Sequence, residues 1–171
     1  MTRQGPKISA GKYKGRFLDV PGSARPVTER YKIKMMGMLG ELIQDANMLD
    51  VFSGSGLIGI EALSRGAKHV DFVDNNGKAT KIIKENIEAI GIPKEDYRVI
   101  KRNYISQINA EKGMYDIIFA DPPYTKFGEY KVHRLLEGLN DEGVLLVKTP
   151  LEYTSKYINL SQDRIVLREK I

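Results

Sequence analysis

The sequence predicts an α/β domain in which a mostly parallel sheet is covered by helices. Three observations carry that prediction. From Met48 onward, short apolar runs alternate with amphipathic stretches of helix length, the order that builds strand–helix–strand units. The first of these runs passes straight into a glycine-rich turn and then into a helix-like segment, the arrangement of a ligand-binding strand end. The length, 171 residues with 42% hydrophobic and 29% charged, suits one core, and neither a repeat nor a long linker argues for a second.

Ahead of the sheet, residues 7–20, with Gly11 and Gly15, read as a short β-hairpin or arm, and residues 28–42 as a helix that Thr28 caps. Strands are expected at residues 48–52, 69–73, 97–101, 115–120 and 143–148. Between them, residues 58–65 form a helix that stops at Gly66. Residues 77–90 place Ala79, Ile82, Ile83, Ile87 and Ile90 at helical spacing and stop at Gly91. A further helix is expected at 129–139. In the tail, strands at 156–160 and 164–168, joined by Ser161-Gln162-Asp163, read as an antiparallel hairpin at the sheet edge. The expectation is a seven-stranded sheet within residues 28–171, preceded by a basic arm over residues 1–27.

Composition narrows the chemistry. The chain has no cysteine, which excludes disulfides, a thiolate nucleophile and a cysteine zinc site. Its two histidines, His69 and His133, stand in no metal spacing, so no metal is expected. The first residues carry no apolar core of a signal peptide, and no apolar run approaches the ~20 residues of a membrane span; the expected location is cytoplasmic. The net charge of +5 is unevenly placed. Met1 to Lys34 holds nine Lys/Arg against Asp19 and Glu29, and the remaining residues carry a slight acidic excess. Such a segment fits a polyanion partner, although charge alone does not separate that from a solvated basic face.

The first strand ends in Asp50-Val51-Phe52-Ser53-Gly54-Ser55-Gly56-Leu57-Ile58-Gly59. Gly54, Gly56 and Gly59 let a ligand approach the backbone, and Asp74, at the end of the next strand, is placed to hold ribose hydroxyls. A nicotinamide enzyme would share these features. Asp50 argues against it, because a carboxylate there serves a cationic amino-acid end and repels a pyrophosphate.

After the fourth strand comes Asp121-Pro122-Pro123-Tyr124. Consecutive prolines remove backbone donors and leave carbonyl oxygens. The exocyclic amine of a base is a poor nucleophile because its lone pair is delocalised into the ring. The Asp121 carboxylate and the Pro122 carbonyl can each accept one of its hydrogens, and Tyr124 offers a face on which an extruded base stacks.

Together these residues resemble the class I methyltransferases that modify amino groups in nucleic acids, whose fourth motif is (Asn/Asp/Ser)-Pro-Pro-(Tyr/Phe). The sequence is most similar in pattern to the RsmD family, the 16S rRNA guanine-N2 methyltransferases, and the resemblance covers most of the chain. It is carried by Ile8-Ser9-Ala10-Gly11-Lys12-Tyr13-Lys14-Gly15-Arg16, by Arg25-Pro26-Val27-Thr28-Glu29-Arg30, and by Glu61-Ala62-Leu63-Ser64-Arg65-Gly66-Ala67, beside the glycine turn, Phe72-Val73-Asp74 and Asp121-Pro122-Pro123-Tyr124.

The resemblance implies a Rossmann-like class I fold, S-adenosylmethionine as cofactor, and ribosomal RNA or a small-subunit assembly particle as partner of a monomeric enzyme. It assigns the cofactor to Asp50, Phe52, Ser53, Gly54, Gly56, Asp74, Asn75, Asn103 and Asp121. Asp121, Pro122 and Tyr124 would serve the guanine, and Lys12, Lys14, Arg16, Arg25 and Arg30 the RNA phosphates. Two positions depart from the pattern. Asn103 stands where the family has an acidic residue near the adenine, and its carbonyl still accepts a hydrogen bond. Lys148 stands where the fifth strand usually ends in Glu. DNA adenine-N6 or protein glutamine-N5 methylation, or a catalytically silent RNA-binding relative, are the alternatives.

Overall fold

The computed structural model describes residues 5–22, 27–123 and 130–148. Its elements run α1 (Glu29–Leu39), β1 (Asn47–Val51), α2 (Leu57–Ser64), β2 (His69–Asp74), α3 (Gly77–Ile90), β3 (Tyr97–Lys101), α4 (Tyr104–Ala110), β4 (Tyr115–Ala120) and β5 (Leu139–Val147), with a 3₁₀ stretch at Val132–Gly138 before β5. The five strands lie in the order β3-β2-β1-β4-β5, and every neighbouring pair is parallel.

Parallel strands are covered on both faces and so read as near-continuous apolar runs. Met48, Val70, Phe72, Ile117, Phe119 and Leu146 pack on the side that carries α1, α2 and α3. Leu49, Val51, Val73, Ile118, Leu145 and Val147 pack on the opposite side with Tyr104, Ile108 and Leu135. The buried Asp71 of β2 is paired inside this frame, accepting from Arg98 Nε of β3 at 2.7 Å and from the Tyr115 hydroxyl of β4 at 2.7 Å.

Local signals place most boundaries. Thr28 caps α1, its hydroxyl accepting from Tyr31 N–H at 3.3 Å, as the sequence leads one to expect. The helix stops sooner than residue 42, because Gly40 takes φ 48° and the chain continues as a 3₁₀ turn, Gly40–Ile43. Asn76 caps α3, and Gly91, at φ 81°, ends it. In place of the helix expected at 129–139, Val132–Gly138 is 3₁₀ and β5 begins at Leu139. β5 starts four residues early because its register against β4 shifts between Tyr115↔Leu139 and Ile117↔Val144, a bulge that takes up the intervening residues.

Helix α4 is absent from the sequence reading. It has only seven residues, too short for an apolar period to show. The hairpin expected at 156–168 lies outside the described residues.

Residues 5–22 form a compact loop that folds back through one antiparallel bridge, Lys7↔Phe17, flanked by hydrogen bonds from Ile8 N–H to the Arg16 carbonyl and from Leu18 N–H to the Pro6 carbonyl, both at 2.9 Å. The loop lies on the outer side of α2, which explains why all eight residues of that helix are buried. The contacts are specific. Glu61, fully buried, accepts from Ser9 N–H at 2.9 Å, Ser9 Oγ at 2.6 Å and Arg65 Nε at 2.9 Å. The fully buried Lys32 of α1 lies 3.3 Å from Glu61 and 2.9 Å from Glu29, and donates to the Lys7 carbonyl. Ser64 donates to the Ala10 carbonyl at 2.6 Å and accepts from Tyr13 N–H at 2.9 Å. Gly11, at φ +79°, sits so close that a Cβ there would fall 1.7 Å from the Ser64 carbonyl oxygen.

Burial alone would raise the Glu61 carboxyl, but the Ser9 hydrogen bonds, Arg65 and Lys32 outweigh it and hold the group below the ordinary 4.5. Its contribution to stability is therefore present above pH 4.5 and lost as pH falls through the depressed folded value. Removing one partner of a buried pair costs about 3–5 kcal/mol. Glu61→Ala is expected to lower the unfolding free energy by about 3 kcal/mol in urea titrations at neutral pH, and an unchanged midpoint would show that the N-terminal loop is held by other contacts.

Candidate active site

The crevice of an open parallel sheet lies beyond the carboxyl ends of its strands, where neighbouring strands send their chains in opposite directions. Here that point is between β1 and β4. Three segments meet there: the turn after β1, the end of β2 and the Asp-Pro-Pro turn after β4.

The turn after β1 needs unusual backbone. Gly54 and Gly56 take φ 58° and 78°, and Phe52 takes φ 59°, a left-handed conformation costly for a residue with a side chain. Phe52 is held by its ring, packed 5.3 Å from Tyr104 and 4.8 Å from Tyr130, and by its N–H, which donates to the Val73 carbonyl at 2.9 Å. Ser53 Oγ donates to the Asp50 carbonyl at 2.5 Å. Gly59 lets α2 approach the sheet, since a Cβ there would meet the Phe72 ring at 2.3 Å.

Asp50 is the most perturbed group of the site. It is 1% exposed. Its Oδ2 accepts from Gly59 N–H at 3.1 Å, and its Oδ1 has no hydrogen-bond partner among the described residues. Burial, which the Gly59 hydrogen bond only partly offsets, together with repulsion from Asp74 and Asp121, pushes the carboxyl from 3.8 up to about 8.

Asp74, at the end of β2, accepts from Gly54 N–H at 3.1 Å and from Asn76 N–H at 2.8 Å, so it ties the turn to the start of α3. A cleft opens beside it. Four residues expected from the sequence line this cleft, Phe52, Asp74, Asn75 and Asn103, together with Arg102, Tyr104 and Tyr130, which were not expected. Asn103 also has a structural task, because its side-chain carbonyl accepts from Ile105 N–H at 2.9 Å and caps α4. The position of Tyr104, one residue into a short helix, left no signal in the sequence, and Tyr130 reaches the cleft from beyond the Pro-Pro turn.

Ala120 pairs with Val51 on one side and Val147 on the other, so Asp121 follows beside the glycine turn and beside Lys148. Lys148 N–H donates to the Ala120 carbonyl at 2.9 Å. Its ammonium lies 3.6 Å from Asp121 Oδ2 and 4.9 Å above the Tyr31 ring. Pro122 is buried and Pro123 exposed. Tyr124 lies outside the described residues.

Lys12, Lys14, Arg16 and Arg30 are exposed. Arg25 lies outside the described residues. Lys32, although part of the basic segment, is buried against Glu61 and adds nothing to this surface. Among the described residues no group of three or more His, Asp or Glu is placed to hold a metal ion, and no helix is long and apolar enough to cross a membrane.

The chain is similar to known proteins over most of its length. The family model described as conserved hypothetical protein 95 matches residues 6–169. Ribosomal RNA small subunit methyltransferase D of Escherichia coli (strain K12) is 33% identical over 152 residues, spanning 85% of this chain and 75% of that protein. The Bacillus subtilis (strain 168) protein named "Putative rRNA methyltransferase YlbH" is 35% identical over 143 residues, or 81% of this chain and 76% of its own length. The solved structure of "Putative methyltransferase yhhF from Escherichia coli" matches with a TM-score of 0.74 and 31% identity, over 86% of this chain and 83% of that chain.

The state of Asp50 is measurable through stability. A carboxyl whose folded value lies above its unfolded one opposes folding once the unfolded form ionises. Here that opposition grows from pH 3.8 until pH about 8, at up to about 1.4 kcal/mol per pH unit. Urea unfolding at pH 5.5 and 7.5 is expected to show a loss of stability with rising pH that Asp50→Asn reduces. An identical pH slope in the two proteins would mean that Asp50 titrates normally.

Proposed function

The chain belongs to the conserved hypothetical protein 95 family, together with ribosomal RNA small subunit methyltransferase D, and we propose that it is an S-adenosylmethionine-dependent methyltransferase that acts on the exocyclic N2 of a guanine in small-subunit ribosomal RNA. The observation that carries this reading is the convergence of Asp50 and Asp74 with the Asp121-Pro122 turn on one crevice.

The crevice fits a cationic cofactor. Asp50 presents a buried carboxyl oxygen with no hydrogen-bond partner among the described residues, and on ionising it suits the ammonium of an amino-acid end. Asp74 keeps lone pairs for ribose hydroxyls, and Asn75 and Asn103 line the cleft where an adenine would lie. Phe52, Ser53, Gly54 and Gly56 supply the close-approach backbone. Bound there, S-adenosylmethionine supplies an electrophilic methyl group. A nicotinamide dinucleotide fits badly, because Asp74 at the glycine turn repels a pyrophosphate and the buried Asp50 carboxyl would gain nothing by ionising beside one.

The chain's own contribution is position and charge. Asp121 and the Pro122 carbonyl accept the two hydrogens of the amine, so the nitrogen lone pair points into the crevice. The nitrogen that gains a methyl sheds one proton, and Asp121 is the base placed to take it. Tyr124 would stack on the guanine. In this reading residues 1–27 are an arm on a methyltransferase domain of residues 28–171, and Lys12, Lys14, Arg16, Arg25 and Arg30 hold RNA phosphates, which gives affinity rather than base choice. A substrate in the assembling ribosome places the protein in the cytoplasm.

Labelled methyl transfer to purified small-subunit RNA, with DNA and a release factor as controls, tests the substrate. Asp121→Ala is expected to reduce turnover on the RNA at least about 100-fold, the scale of a lost general base, with cofactor affinity little changed; undiminished turnover would exclude Asp121 from the chemistry. Replacing Lys12, Lys14 and Arg16 by Gln is expected to weaken RNA binding and to flatten its log–log salt dependence by about two, near 0.7–0.9 per phosphate contact. An unaltered salt slope would place the RNA elsewhere.

A further inference from the structure

Lys148 puts a cation among the carboxylates of the crevice. It is anchored at two levels. Its backbone is fixed by the β4–β5 register, with Ala120 opposite Val147 and Lys148 N–H on the Ala120 carbonyl at 2.9 Å. Its ammonium rests 4.9 Å from the centre of the Tyr31 ring, on α1, and 3.6 Å from Asp121 Oδ2. The lysine side chain is 14% exposed and that of Asp121 21%, so solvent and salt screen the pair only weakly. A cation over an aromatic face gains further attraction, which resists its drift into water.

The charged groups acting on Asp121 include Lys148 from the end of β5 and Asp50 from β1; beneath the lysine, α1 presents the Tyr31 ring. The two groups pull in opposite directions only where Asp50 is ionised; below its midpoint near 8 the Lys148 ammonium is the charged one of the two. A neighbouring carboxylate favours the protonated acid, whereas an opposite charge within about 4–6 Å favours the ionised form. The distinction matters for an amine. A protonated carboxyl offers an O–H toward a group that is itself a donor, whereas an ionised one offers only acceptors.

We propose that Lys148 is a positioning residue for the amine-accepting side of the site, its ammonium keeping the Asp121 carboxylate ionised and so able to accept the amine hydrogens. This rests on the role given to Asp121 above. The lysine touches neither the amine nor the methyl group in this scheme; it acts through Asp121 and sets the lower pH limit of the reaction.

The test begins without cofactor or RNA. The Asp121 carboxyl carbon, identified by the signal lost in Asp121→Asn, is titrated by ¹³C NMR in the wild type, in Lys148→Met and in Lys148→Arg. The expected result is a midpoint raised by about one pH unit or more in Lys148→Met and nearly restored in Lys148→Arg. Lys148→Gln serves where the Met variant does not fold. In methyl transfer to small-subunit RNA, the acidic limb of kcat is expected to move upward by the same interval. An unmoved midpoint in the Met or Gln variant overturns the inference whether or not the protein methylates RNA. A shifted midpoint with an unshifted kcat limb overturns the positioning role. Failure of the wild type to methylate any RNA would instead defeat the functional reading, and the NMR result would still decide the pair.

Discussion

Three carboxyl groups share one crevice, and the burial of one of them, Asp50, is the constraint around which this site is arranged. The sheet order forces it. β1 lies between β2 and β4, all parallel, so the residues closing these strands must emerge side by side. Asp50 is buried there, one of its oxygens has no hydrogen-bond partner among the described residues, and burial first, then the other two acids, push it toward the protonated form. Such a place is unfavourable for an anion and favourable for a ligand that brings positive charge. The protein neutralises one corner itself, through Lys148 at Asp121.

The outer frame serves the same site indirectly. Helix α2 begins at the glycine turn, and its position against β2 depends on Gly59. Its far side is sealed by the N-terminal loop through Glu61 and Ser64. Lys32 extends this contact into α1, the helix that also supplies Tyr31 beneath Lys148. A single buried network thus joins the N-terminal loop, α1 and α2, and two of the stretches that carry the family resemblance, around Ser9 and around Glu61, turn out to be partners in contact.

Much of this was legible in the residues. The expected bounds of α3, β3 and β4 coincide with the observed ones, because strong amphipathic spacing or a dense apolar run fixes them locally. What escaped depends on neighbours distant in sequence. Helix α4 is too short to show a period and is set by the Asn103 cap. The early start of β5 follows from a register shift against β4. Lys148 stood out as unusual, yet its partner could not be named, since only the adjacency of β4 and β5 brings it to Asp121. Lys32 reads as one more surface cation, and only the fold shows it inside an ion pair. Asn103, noted for its carbonyl, spends that carbonyl on a helix end.

The central claim is that the acidic crevice receives a cationic cofactor through Asp50. Isothermal titration with S-adenosylmethionine at pH 7, repeated in two buffers of different ionisation heat, tests it directly. The account predicts saturable binding with release of about one proton, because a carboxyl with a midpoint near 8 must ionise to meet the ammonium. Absence of binding, or binding with no proton released, would contradict it.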